Sequence, residues 1–287
     1  MPDQGMIRQL LKSKTGTLGL LIIVAVILCA LFAPWLASHD PASVAPLKRL
    51  KPPVWLDGGE STYWLGTDNL GRDIWSRIVY GARVSLIVGV GAVLVSGMIG
   101  AVLGLLSGYY GKWINAIIMR VADSFLAIPS ILLALVVLAV TQPGLITLII
   151  VIGLTNWVSY ARVIRSEVLS LKERDFVKAA QSAGAGQGRL IFHHILPNVM
   201  SSLIVISSMN VATTILMEAS LSFLGLGIKP PDVSWGGMLS DGRQYIATSW
   251  WVATFPGLAI TFTVLGVIFL GDWLRDKLDP RITNDQS

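Results

Sequence analysis

"SFLAIPSILLALVVLAVTQPGLITLIIVIGLTNWVSYA", residues 124–161, contains no Asp, Glu, Lys or Arg. A run this long cannot be a soluble core helix, and it is too long for one membrane span. About 20 apolar residues, rising 1.5 Å each, cross a hydrocarbon core of roughly 30 Å. Thr141-Gln142-Pro143-Gly144 interrupts the run with turn chemistry. The stretch therefore reads as two helices joined by a tight hairpin.

The same pattern extends outward. Residues 15–38, 84–111, 190–217 and 244–271 are also free of Asp, Glu, Lys and Arg. Each has the length of one span, which brings the expected total to six. The whole chain of 287 residues is 53% hydrophobic and 14% charged, against roughly 25% charged in soluble domains. Lipid is the solvent this composition suits, and the expected fold class is an all-α polytopic membrane protein.

The first apolar stretch follows Lys12 and Lys14 as a signal peptide would, but Gly16–Trp35 is longer than the usual h-region and no small-x-small site follows it. A retained anchor is expected. Cys29 within it, the single cysteine, can form no internal disulfide.

Orientation follows from Lys and Arg. With the N-terminus inside, the inner segments carry Arg8, Lys12, Lys14, Lys112, Arg120, Arg162, Arg165, Lys172, Arg174, Lys178, Arg189, Arg275, Lys277 and Arg281, which is 14 of the chain's 22 basic residues. Both termini are expected in the cytoplasm. The net charge of +5 follows from this bias and does not argue for nucleic acid. The expected organisation is 1–80 (N-terminal arm, first span and extracytoplasmic segment) followed by 81–287, a five-helix core that includes a cytoplasmic loop over 174–197.

Within the extracytoplasmic segment, Ile74, Trp75, Ile78 and Val79 recur at helical spacing opposite Arg72, Asp73 and Arg77. This predicts a short amphipathic helix at the membrane surface, with Trp75 at headgroup level, or a scaffold element leading into the second span. In that span Ala92, Ser96, Gly100, Gly104 and Gly108 repeat every four residues. They form a ridge of small side chains that lets another backbone approach, from this chain or a second subunit. Trp250-Trp251 reads as an interfacial belt before the last span. No span holds a pair of acids or a row of arginines, which disfavours proton relays and voltage sensors.

The polar interruption "KAAQSAGAGQGRLIFHHILPN", residues 178–198, carries the candidate chemistry. Its glycines are not a phosphate loop, because no Lys-Ser or Lys-Thr follows them, and the other near miss, at Gly111-Lys112, lacks the first glycine and the hydroxyl. His193 and His194 are adjacent and point about 100° apart on a helix, too far apart to share an ion. No GxSxG is present, so catalytic residues, metal and cofactor are all read as none. What remains is a docking surface. Asp175–Ser182 forms a helix whose face is kept low by Ala179 and Ala180, Gly184 ends it with a positive φ, a second short helix covers about 187–195, and Pro197 opens the fifth span.

Lys178-Ala179-Ala180, then Gly184, then Ile195-Leu196-Pro197 resembles the EAA loop of ABC importer permeases. Lys178 replaces the usual Glu, and His194 stands where an aliphatic residue is common. The resemblance continues through Leu65-Gly66-Thr67-Asp68, Gly71-Arg72-Asp73, Gly81-Ala82-Arg83, Glu218–Gly227, Trp235-Gly236-Gly237 and the tail Gly271–Arg281. Together these are similar to the C-type permease subunit of the peptide/nickel subfamily.

The resemblance implies a type I importer permease of six transmembrane helices in the bacterial cytoplasmic (inner) membrane. It implies a heterodimer with a B-type permease subunit, two cytoplasmic ATPase subunits that hydrolyse ATP, and an extracytoplasmic solute-binding protein. Asp175, Phe176, Lys178, Ala179, Ala180, Gly184, Leu196 and Pro197 become the expected ATPase-coupling residues. Residues 218–245 are read either as an outer gate that meets the binding protein or as buried packing. Di- or oligopeptides are the expected cargo, with nickel complexes, glutathione and opines as alternatives. A membrane scaffold without a transport path is the competing class.

Overall fold

The structure, a computed structural model, describes residues 6–278. The tail positions Asp279, Pro280 and Arg281 named above lie outside the described residues. The helices in chain order are α1 (Met6–Lys12), α2 (Lys14–Leu31), α3 (Ala33–Leu36), α4 (Ile74–Tyr110), α5 (Lys112–Leu126), α6 (Ser130–Val140), α7 (Leu145–Lys172), α8 (Asp175–Ser182), α9 (Gln187–Arg189), α10 (Leu196–Phe223), α11 (Trp235–Gly242) and α12 (Trp251–Leu278).

Among the described residues, five helices are long and apolar enough to span a membrane: α2, α4, α7, the continuous 187–223 rod that ends in α10, and α12. The sixth expected span is broken. α5 and α6 meet at 84°, and α6 alone, at 11 residues, rises only about 16 Å, half of what a hydrocarbon core needs. Pro129 is the cause. It bars helical φ/ψ at Ile128 and cannot donate into α5, so the chain turns there. Counting charges could not register this, because Pro129 is as uncharged as its neighbours. The expected turn at 141–144 does separate α6 from α7.

α4 packs parallel to α7, with contacts advancing in step from Gly91 beside Ile149 to Gly108 beside Val168, and the ridge of small residues lies in that seam. A Cβ on Gly104 would stand 2.7 Å from the Ala161 carbonyl oxygen, and one on Gly108 would stand 2.7 Å from Val168 Cβ. Gly100 faces Tyr160 and the Trp157 carbonyl in the same way. Ala92 sits with Leu148, Val151 and Ile152 in one buried cluster. Buried Ser96 returns its hydroxyl to the Ala92 carbonyl at 2.9 Å. The neighbour of the ridge is thus a helix of the same chain. Close backbone approach gives these helices the dispersion that replaces a hydrophobic drive in lipid.

At the end where α4 begins, residues 37–73 fold back over the bundle, and of the two readings of 72–79 the surface helix is overturned while the element leading into the second span is what the structure has. The chain enters α4 at Ile74 and continues unbroken to Tyr110, with Asp73 as N-cap accepting from the Ser76 backbone N–H at 3.0 Å. Arg72 and Arg77 are buried. Asp68 Oδ2 accepts from Arg72 Nε at 2.7 Å and from Arg77 Nη1, and Asp241 Oδ2 faces Arg72 at 2.9 Å and Arg77 at 3.3 Å. Carboxylates from α11 and from the 37–73 segment thus take the place of the expected water.

Trp251 likewise is buried, with its indole N–H 3.3 Å from the Thr67 carbonyl. Of the expected belt pair, only Trp250 keeps an exposed face.

Candidate functional site

α7 ends at Lys172, and α8 starts three residues later. The last turns of α7 are tied on several sides. Lys172 donates to the Tyr109 carbonyl at 2.7 Å, Arg165 donates to Asn115 Oδ1 at 2.5 Å, and Glu167 accepts from Ser202 at 2.9 Å. Arg162 pairs with Asp123 at 2.7 Å. Beneath these polar ties, Ile164, Val168, Leu171, Ile195 and Val199 form a buried apolar cluster. The base on which α8 stands is therefore joined to α4, α5 and α10.

α8 rests on the end of α7 and on the turn over Leu190–Ile195. Its one buried side chain is Val177. Asp175 occupies the first turn, where a carboxylate complements the helix dipole. Phe176, Lys178 and Ala179 are exposed, and Ala180 is half-buried. The helix ends in a Schellman motif, with Gly184 N–H on the Gln181 carbonyl and Ala185 N–H on the Ala180 carbonyl, both at 3.0 Å. Gly184 has φ +85°, a conformation that side chains with a Cβ adopt at a cost of about 1–2 kcal/mol. A Cβ there would touch nothing within 4 Å, so backbone geometry alone fixes the choice of glycine.

Beyond the turn, α9 does not stop before Pro197. It runs through a π-helical turn at Leu190–Ile195 directly into α10. Leu196 is half-buried, and Pro197 is exposed in the first turn of α10. A widened turn ahead of proline relieves the clash of its ring with the preceding carbonyls, which is how one rod spans 187–223 despite the proline. Leu190 and Ile195 point into the bundle, while Phe192 and His193 are exposed. Among the described residues, no group of three or more His, Cys, Asp or Glu could hold a metal ion.

Two residues of this surface were not singled out in the sequence. Glu173 pairs with Lys178 at 2.9 Å, and that hydrogen bond holds the Glu173 carboxyl below the usual carboxylate range. Lys178 thus has an acid beside it, supplied by the residue just after α7. Phe192, with Phe176, gives the surface a second exposed ring. Its only signal in the sequence was an aromatic side chain in an otherwise small and polar run.

At the opposite end, Glu218–Ser222 and Val233–Met238 are largely packed, while 223–225 and 229–232 are exposed. Trp235 is buried and donates to the Ile78 carbonyl at 2.9 Å. Gly236 lies where a Cβ would be 2.6 Å from Ala219 Cα. Glu218 is fully buried, and its Oε1 accepts from Ser222 at 2.7 Å. α10 continues to Phe223, so this acid lies inside the helix rather than just past a span ending at 217.

Residues 100–284 match the family described as binding-protein-dependent transport system inner membrane component. Residues 3–53 match the N-terminal transmembrane domain of oligopeptide transport permease C. The chain is 45% identical to the di/tripeptide transport system permease protein DppC of Pseudomonas aeruginosa, over 93% of this chain and 88% of that protein. It is 46% identical to the dipeptide transport system permease protein DppC of Alkalihalophilus pseudofirmus, over 96% and 88%. It is 42% identical to the oligopeptide transport system permease protein OppC of Bacillus subtilis, over 94% and 87%. With its apolar helices and a family match that covers most of its length, this chain belongs to the inner membrane components of binding-protein-dependent transport systems, the multi-pass permease subunits of ABC importers.

Proposed function

We propose that this permease subunit imports di- and oligopeptides and that residues 175–197 couple it to cytoplasmic ATPases. One observation carries the coupling. α8 shows Phe176, Lys178 and Ala179 outward while Val177 holds it to a base bonded to α4, α5 and α10. A push on α8 is therefore delivered to three helices together. Small side chains at 179 and 180 let a groove close around the helix, and the exposed rings supply apolar contact of the kind that dominates interface energetics.

In this reading 174–197 faces the cytoplasm, as the basic residues around it favour. The partners are a B-type permease subunit, two ATPase subunits and an extracytoplasmic solute-binding protein. Residues 1–80 serve as arm, first span and outer segment, and 81–287 form the transport core. The peptide cargo rests on the names of the relatives.

The test is reconstitution with the cognate partners. ATP-dependent uptake of a labelled dipeptide, and a cross-link from Phe176→Cys to the ATPase, are the expected results. Copurification without ATP-dependent uptake would favour a scaffold, and uptake of nickel complexes in place of peptides would overturn the cargo.

A further inference from the structure

The segment 37–73 presents more large apolar surface than a water-facing loop has reason to keep. Trp64 is 63% exposed and Trp55 57% exposed, although each has found an aromatic neighbour. Trp64 lies 6.3 Å from Trp75, in the first turn of α4. Trp55 lies 6.1 Å from Phe255, in the first turns of α12. Trp75 in turn donates its indole N–H to the Leu36 carbonyl at 2.9 Å, which joins it to the end of α3. There Trp35 is 78% exposed. Three helix ends and the two loop tryptophans therefore stand at one level.

What covers these rings is set by where that level is. Only 17% of the α2 span is buried within the chain, so most of its surface is left to lipid, and that surface leads directly through α3 to Trp35. The indole N–H groups of Trp35, Trp55 and Trp64 make no hydrogen bond among the described residues. An apolar ring with a free N–H suits the boundary between headgroups and acyl chains, where carbonyls and water accept the proton while the ring stays in hydrocarbon.

We propose that residues 35–73 form a collar seated in this boundary, with Trp35, Trp55 and Trp64 immersed in phospholipid. The segment rests on the bilayer rather than standing in water. The Arg72–Asp241 pair joins this collar to α11, and the Arg77–Asp68 pair joins it to α4. The collar thus anchors the beginnings of α4 and α12 to the bilayer while the 174–197 end remains free to move.

The test uses the full chain with Cys29→Ala, spin-labelled at Trp55→Cys or Trp64→Cys, in vesicles of phosphatidylethanolamine and phosphatidylglycerol. Leu21→Cys on the open face of α2 serves as the lipid reference. Collisions with oxygen should exceed those with a water-soluble nickel chelate at 55 and 64, as they do at 21. A reversed ratio would overturn the proposal. So would exclusion of both reagents after reconstitution with the partner subunits, because the rings would then lie in a protein interface. Trp55→Phe and Trp64→Phe retain the ring contacts and guard against misfolding of the cysteine variants. Each should remove a fluorescence component quenched by lipids brominated near the headgroup, and removal of a component quenched only by aqueous iodide would equally sink the collar.

Discussion

Arg77 and Asp241, 164 positions apart, face each other at 3.3 Å, and both also share Arg72 and Asp68 in one four-residue charge cluster. The 37–73 segment, the start of α4 and α11 meet there. Arg72, Arg77 and Asp68 are buried, while Asp241 keeps an outlet to solvent. Removing one partner from a buried set leaves an uncompensated charge, at a cost of about 3–5 kcal/mol. Asp68→Ala should therefore lower the thermal unfolding temperature of the purified protein sharply. Asp241→Asn should lower it less, because water can reach the charges it leaves. Equal effects of the two would contradict this ranking.

Gly104 faces the Ala161 carbonyl and Ile164 across the α4–α7 seam. Gly104→Leu must part the two helices, and overpacking of this kind costs about 1–3 kcal/mol. Thermal stability in detergent should fall accordingly. Gly257→Ala provides the control, since the nearest side-chain atom to its Cβ would be 3.6 Å away, in ordinary contact. A Gly104 variant as stable as that control would remove the seam from this account.

Glu218 is held by Ser222, and its second oxygen makes no hydrogen bond. Glu218→Gln retains an acceptor for the Ser222 hydroxyl and nearly the same volume, so stability and uptake should stay near those of the parent. Glu218→Ala removes the acceptor that the buried Ser222 hydroxyl donates to and leaves it only the long 3.4 Å contact from Ser234, a loss of about 1–3 kcal/mol. A Gln variant as damaged as the Ala variant would show that the carboxyl does more than pack.

The Glu173–Lys178 pair gives a prediction with a pH sign. Lys178 lowers the Glu173 carboxyl, so whatever the pair contributes is fully present above the ordinary carboxylate range. It is lost as pH falls through the lowered value of the folded state. Hydrogen exchange in a peptide covering 173–183 should therefore quicken at acid pH, after correction for intrinsic rates. Lys178→Ala should abolish that change. Persistence of the change in the variant would assign it to another group.

The sequence made the spans legible because lipid imposes one crude rule, the absence of charge over about 20 residues. That rule found α2, α4, α7, α10 and α12, and it did not register the bend at Pro129, whose effect is geometric. It also placed Arg72, Arg77 and Trp251 against water or headgroups, because nothing local announces Asp241 or Thr67 as their partners. The turn at Gly184 was legible because positive φ leaves a mark in residue type. Glu173 and Phe192 were not, because Glu173 meets Lys178 only once α8 is folded, and Phe192 is left exposed only by the way the Leu190–Ile195 turn packs.

The most direct measurement of the central claim is ATP hydrolysis and peptide uptake in one preparation of the reconstituted importer carrying Gly184→Val. At φ +85° with open space around it, this change alters the turn that ends α8 and leaves the packing of the spans untouched. The account predicts that the protein inserts and assembles, that ATP is still hydrolysed, and that uptake per ATP collapses. Uptake per ATP equal to that of the parent would contradict it.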